Sequence, residues 1–229
     1  MNYADFHRRS LQDRDAFWAE QAKAIDWHKP FTQVCDYANP PFARWFVGGQ
    51  TNLCHNAVDR HAATHPDRNA LIWVSTEVEQ ERIYTFAQLQ REVETRAAIL
   101  HAQGAGQGER VLISMPMSIE GVVAMQACAR IGAIHSVVFG GFASVSLATR
   151  IEDAEPKVIV SADAGSRAGK VVPYKGLLDE AIRLSSHKPA KVLLVDRGLA
   201  PMERTAGRDM EYATLREQRV ALQTSTTLV

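Results

Sequence analysis

The sequence predicts an α/β protein: a layered, largely parallel sheet with flanking helices. Three observations carry that expectation. Beyond residue 110, short apolar runs recur at 111–115, 134–138, 158–162 and 192–195. Helical stretches lie between them, at 118–131, 144–154 and 175–185. The runs are rich in Val and Ile with little polar interruption, as in strands buried on both faces. Such alternation yields parallel strands joined by right-handed crossovers.

The elements follow in chain order. The first fifty residues read as an irregular, extended arm. A short helix is expected over 13–25, with Phe17 and Ala24 on its apolar side. Pro30, Pro40 and Pro41 then interrupt any long element. A helix over 52–63 starts at a capping Asn52 and stops before Pro66. Strands at 70–75 and 82–85 flank a polar turn. Thr85 and Gln88 form a capping-box pattern. Phe86, Leu89, Val93, Ala97 and Leu100 then repeat at helical spacing, and Gly104 ends the run. Ser118 caps the next helix, with Glu120 in its first turn and Gly132 behind it. The chain thus divides into an arm (1–50), a mixed α+β region (51–109) and an α/β region (110–229).

Composition narrows the function classes. The 229 residues carry 26 Lys and Arg against 26 Asp and Glu, so no overall basic charge draws the chain to nucleic acid. An apolar fraction of 46 % with 23 % charged residues excludes a disordered chain. No apolar run is long enough to span a membrane, and no secretory signal opens the chain. Three cysteines, Cys35, Cys54 and Cys128, are read as reduced thiols in a cytoplasmic protein. Residues 161–229 carry a mild basic excess of +3, against −3 before them, which suits a phosphate-bearing ligand as well as solvated surface.

Ligands of open parallel sheets bind beyond the carboxyl ends of the strands. That rule selects three loops: Pro116-Met117, Phe139-Gly140-Gly141-Phe142, and Asp163 to Lys170. Paired glycines let a ligand approach the backbone. The third loop, expected to be mobile, joins Gly165 and Gly169 to Arg167 and Lys170. Arg grips phosphate oxygens in a fork and Lys adds a point charge. A plain turn with solvated charges fits the same residues equally well.

Other motifs are set aside. Gly104-Ala105-Gly106-Gln107-Gly108 follows a helix and precedes a strand, the reverse of a dinucleotide motif. The segment 165–171 is one residue short of a P-loop and ends in Val171 where a hydroxyl is needed. Cys54, His61 and His65 lack a fourth metal ligand at suitable spacing. Met115, Met117 and Met125 are read as core packing.

The residues now assembled resemble a known family. Gly48 to Asn52, Asn56 to His61, Tyr84 to Leu89, Met115 to Met117, Ala127 to Phe142 and Asp163 to Lys170 are similar to the N-terminal part of short-chain, AMP-forming acyl-CoA synthetases of the acetate/propionate branch. The short arm is nearer the propionate side. The resemblance implies the large N-terminal domain of the adenylate-forming fold. It implies a two-step ligase reaction: ATP and a short-chain carboxylate give an acyl-adenylate and pyrophosphate, with Mg2+, and CoA then displaces AMP. It implies that Phe139, Gly140, Gly141, Arg167 and Lys170 belong to the CoA site, with both cations facing its phosphates. Arg is also common in the family at the position of Lys170.

The family's phosphate loop, acyl pocket, ribose-binding aspartate and catalytic lysine have no match in this sequence. The expectation is an N-terminal portion of the enzyme. The remainder of the large domain and the small C-terminal domain would be absent, with no catalytic or metal-binding residue here and no activity alone. A non-catalytic scaffold, or a CoA-binding module that retains the fold, is the alternative. No nucleic acid or membrane is expected as partner. Self-association through an uncovered sheet edge is expected.

Overall fold

The computed structural model describes residues 2–218 and divides into two compact units, one ending at Asn52 and one beginning at Leu53. The first unit is more regular than an extended arm. Helices α1 (Tyr3–Gln12) and α2 (Arg14–Gln21) run into a single 3-10 turn, Ala22–Ala24. Strands β1 (Gln33–Asn39) and β2 (Phe42–Val47) then pair antiparallel. Pro40 and Pro41 make the turn between them, because a turn needs no backbone donor at those positions. Phe17 is fully buried as expected, with Phe6 and Trp18 edge-on to its ring at 4.7 and 5.1 Å. Ala24 is exposed; Ala22 is the buried alanine.

The second unit opens with a helical stretch that contains a π-turn, His55–Asp59, before α3 (Arg60–Thr64). Strands β3 (Asn69–Ser75) and β4 (Gln80–Thr85) form the expected hairpin. Helix α4 (Phe86–Ala102) begins with the capping box, in which Gln88 N–H donates to Thr85 Oγ1 and Thr85 N–H to Gln88 Oε1. It ends in a Schellman pair: Ala105 N–H to Leu100 O and Gly104 N–H to His101 O, both 3.0 Å.

The α/β region then unfolds in order. Its elements are β5 (Arg110–Met115), α5 (Ile119–Arg130), β6 (Ile134–Phe139), α6 (Ser144–Ala154) and β7 (Val158–Ala162). They continue with β8 (Gly165–Arg167), β9 (Lys170–Val172), α7 (Tyr174–Leu184), β10 (Lys191–Val195), β11 (Asp209–Glu211) and α8 (Tyr212–Glu217). Five strands form one parallel sheet in the order β11-β10-β7-β5-β6.

Alternation along the strands sorts the core into two layers. Val111, Ile113, Val158, Val160 and Leu193 pack with residues of α4 and α5. Leu112, Ile159, Val192 and Leu194 face the other way, onto Leu147 and Ile151 of α6 and Leu178 of α7. The chain leaves β5 for β6 on one side and then crosses to β7 on the other. Right-handed crossovers therefore place α5 and α6 on opposite faces. The strand order reverses between β5 and β7, where open α/β sheets hold their ligands.

Candidate functional site

Two of the three sequence-selected loops meet at the carboxyl ends of β6 and β7. The segment after β7 is more regular than the loop the sequence suggested. It is the two-stranded hairpin β8–β9, with Gly165 opposite Val172, Ser166 opposite Val171 and Arg167 opposite Lys170. Its two-residue turn, Ala168-Gly169, has φ of +51° and +75°. Positive φ at both central residues is the turn geometry whose twist matches a right-handed hairpin.

The hairpin leans toward the loop after β6. The guanidinium carbon of Arg167 lies 5.8 Å from the centroid of the Phe139 ring, within cation–π range. Phe139 is 60 % exposed, and the Phe142 ring meets its edge at 5.8 Å. Gly140 and Gly141 follow directly, leading into α6. The structure thus brings Phe139, Gly140, Gly141 and Arg167 together, with Lys170 across the hairpin from Arg167. Like charges placed directly opposite on a hairpin repel. An anion between or beside them would relieve that repulsion.

Tyr174, which the sequence reading missed, holds the site together. Its ring lies so close to Gly140 that a Cβ there would sit 2.4 Å from Tyr174 Cε2 and Oη. A Cβ on Gly165 would sit 2.6 Å from the same hydroxyl. The glycine pair Gly140 and Gly165 therefore makes room for one phenol, in addition to any ligand. Burial raises the Tyr174 pKa, and Glu77 adds to the shift, while Arg197 and Arg167 oppose it. The phenol stays protonated at neutral pH. A local signal for Tyr174 was lacking, because its partners lie 34 and nine positions back in the chain.

Beneath the hairpin lies Asp163, 1 % exposed. Its carboxylate accepts from three backbone N–H groups, Arg197 at 3.1 Å, Leu199 at 2.7 Å and Ala200 at 3.1 Å. The third sequence-selected loop, Pro116-Met117, follows β5, the strand between β6 and β7 in the sheet. The side chain of Met117 is 93 % exposed, not core, and its carbonyl accepts from Trp73 Nε1 at 3.0 Å. Met115 is buried as expected. Among the described residues no group of three or more His, Cys, Asp or Glu side chains is placed to hold a metal ion.

With this geometry in place, comparison with known proteins defines the class. The AMP-binding enzyme family matches residues 58–223, and the acetyl-coenzyme A synthetase N-terminus matches residues 3–57. The chain belongs to the AMP-binding enzyme family. Within it, the chain is 57 % identical over 220 residues to the propionate–CoA ligase of Escherichia coli, covering 96 % of this chain and 35 % of that protein. It is 59 % identical over 218 residues to the propionate–CoA ligase of Salmonella typhimurium, covering 95 % and 35 %. The acetyl-coenzyme A synthetase of Thiobacillus denitrificans is 45 % identical over 214 residues, covering 93 % and 32 %. The acetoacetyl-CoA synthetase from Streptomyces lividans superposes with a TM-score of 0.85 at 28 % identity, over 100 % of this chain and 34 % of that one. The chain spans about a third of the length of these relatives.

Proposed function

We propose that this chain provides the coenzyme A phosphate site of an AMP-forming acid–CoA ligase. The whole reaction would join ATP, a short-chain carboxylate and CoA into acyl-CoA, AMP and pyrophosphate. Propionate is the favoured acid, because identity to propionate–CoA ligases, 57–59 %, exceeds the 42–45 % to two acetyl-coenzyme A synthetases. The observation that carries the reading is the opposed pair Arg167 and Lys170 at the strand ends, beside the exposed ring of Phe139.

Each residue has a definite task in this reading. Arg167 offers a planar fork to phosphate oxygens, and Lys170 adds a point charge. Phe139 offers an apolar face on which a nucleotide base can stack. Gly140 and Gly141 keep the backbone open to close approach. ATP and Mg2+ would be handled outside these residues, which supply no metal ligand set. The three cysteines are unpaired and buried, in keeping with a reducing, cytoplasmic setting. No helix among the described residues is long and apolar enough to cross a membrane. Strand β6 borders the five-stranded sheet and exposes Ile134, Val137 and Phe139. Self-association along that edge is expected, and light scattering over a concentration series would reveal it.

Two assays on the purified chain test the proposal. Calorimetric titration should show CoA binding. Pyrophosphate exchange with ATP and propionate should show no turnover by the chain alone. Absence of CoA binding would overturn the site assignment; turnover would overturn the division of labour.

A further inference from the structure

The turn between β3 and β4 looked like a plain polar connector in the sequence, yet one of its side chains reaches the hairpin 89 residues further on. Glu77 Oε1 accepts from the backbone N–H of Ser166, in β8, at 2.8 Å. Its other oxygen, Oε2, accepts from Arg197 Nη2 at 2.6 Å. Arg197 Nη1 donates in turn to the carbonyl of Ala164 at 3.1 Å. The carboxylate and the guanidinium thus close a ring around the backbone of Ala164 to Ser166. The side chains of Glu77 and Arg197 are only 22 % and 7 % exposed, so solvent screens this pair weakly. Arg197 is itself fixed, because its backbone N–H is bound by the buried Asp163 carboxylate.

The hairpin needs such an anchor. Each of its strands is three residues long, and a two-stranded hairpin of that size has little stability of its own. Tyr174 packs at Gly165, the first residue of β8, but its side chain makes no hydrogen bond to the hairpin among the described residues. Glu77 is the side chain that hydrogen-bonds the backbone of β8 directly, one residue before Arg167. We propose that Glu77 is a positioning residue: braced by Arg197, it fixes the Gly165–Val172 hairpin and thereby aims Arg167 at the ligand. This rests on the reading of Arg167 as a phosphate ligand, but the clamp itself can be tested without that reading.

The test combines hydrogen exchange with CoA calorimetry on the 229-residue chain, for wild type, Glu77→Ala, Glu77→Gln, Arg167→Ala and the double variant Glu77→Ala/Arg167→Ala. In Glu77→Ala the amides of 165–172 should lose protection together, while those of β5 and β7 keep theirs. CoA affinity should fall by about tenfold, the scale of a charge-assisted contact. Glu77→Gln keeps one acceptor oxygen for Ser166 and should lose less. Because Glu77 acts through Arg167, the double variant should bind CoA no more than about twofold worse than Arg167→Ala alone. Unchanged exchange across the hairpin, a loss confined to the Ser166 amide, or losses that add in the double variant would overturn the proposal. If Glu77→Ala also loosens β5 and β7, Glu77→Gln decides by the same exchange criterion. If wild type does not bind CoA, the phosphate reading falls; collective loss of hairpin protection then upholds the clamp, and unchanged exchange overturns it.

Discussion

Two pairs of cations among the described residues, Lys175 with Arg208 and Arg167 with Lys170, differ in their surroundings. Lys175 and Arg208 share two carboxylates. Asp209 lies 3.0 Å from Lys175 Nζ, and Asp179 lies 2.6 Å from Arg208 Nη2, with cross-contacts between both pairs. Arg167 and Lys170 face each other across a hairpin turn, with no carboxylate at ion-pair distance among the described residues. The first pair is neutralised and largely buried, as a structural network must be. The second is exposed at the strand ends, where its charge is available to an anion. The contrast separates cations that hold the fold together from the cations proposed to meet a ligand. The experiments below push on that separation from both sides.

The largest effect is expected at the neutralised pair. Asp209 is completely buried in its side chain. Burial works to raise its pKa, but hydrogen bonds from Arg208, the Thr205 N–H and Lys175 outweigh it and hold the carboxyl below its ordinary value. Asp209→Asn leaves a buried ammonium short of charge and should cost about 3–5 kcal/mol in urea unfolding. The sign of the pH effect follows from the depressed pKa. The stabilisation is complete above the unfolded-state value of about 3.9 and is lost as pH falls through the folded one. The variant should therefore show a flatter stability profile below about pH 4 than wild type.

A smaller loss is expected from Gly140→Ala. The new methyl would collide with the Tyr174 ring. Overpacking of this kind costs about 1–3 kcal/mol. Adding Tyr174→Leu should recover part of the melting temperature; a fully additive loss would show that the phenol is not what Gly140 accommodates.

The smallest effect, and one of opposite sign, is expected at Arg96. This guanidinium is fully buried in α4, and none of its nitrogens has a hydrogen-bond partner among the described residues. Its carbon lies 3.4 Å from the centroid of the Tyr212 ring. Burial lowers the Arg96 pKa. Glu120 and Glu92 act on the guanidinium only from beyond ion-pair distance, and a buried charge with no carboxylate in direct contact is a liability that one ring face offsets only partly. Arg96→Leu should keep stability or raise it by about 1 kcal/mol. A loss larger than that would show that the ring contact compensates the charge, and the contrast drawn above would lose its force.

The sequence disclosed the layers of the fold more readily than the site. Strands β5, β6, β7 and β10 and the helices between them were legible because both periodicities run uninterrupted and both caps are local. Ser118 accepts from Gly121 N–H within three residues, and Thr85 and Gln88 close their box over the same distance. The hairpin β8–β9 was not legible. Its strands are too short for alternation to register, and its turn uses Ala168-Gly169 rather than an Asn-Gly or Asp-Gly signal. Pro40-Pro41 was read as an interruption because proline marks turns and breaks alike, and only the pairing of β1 with β2 distinguishes them.

At the proposed site, Phe139, Gly140, Gly141, Arg167 and Lys170 were selected by strand-end position and by family resemblance. Tyr174, Glu77 and Arg197 were missed. The Glu77 contacts span 89 and 120 residues, and no local pattern records a bond of that length. A glycine after each of two strands that flank β5, Gly140 after β6 and Gly165 after β7, was the one hint that a bulky side chain enters between the two loops.

The central claim is that Arg167 and Lys170 form a phosphate site. Calorimetric titration of CoA into wild type, Arg167→Ala and Lys170→Ala tests it most directly. A charge-assisted contact to phosphate contributes about 1.5–3 kcal/mol, so Arg167→Ala should weaken CoA binding about tenfold or more. Lys170→Ala should weaken it less, because an ammonium lacks the fork. Both variants should keep the wild-type melting temperature, since neither side chain supports the core. CoA affinity unchanged in both variants would contradict the account.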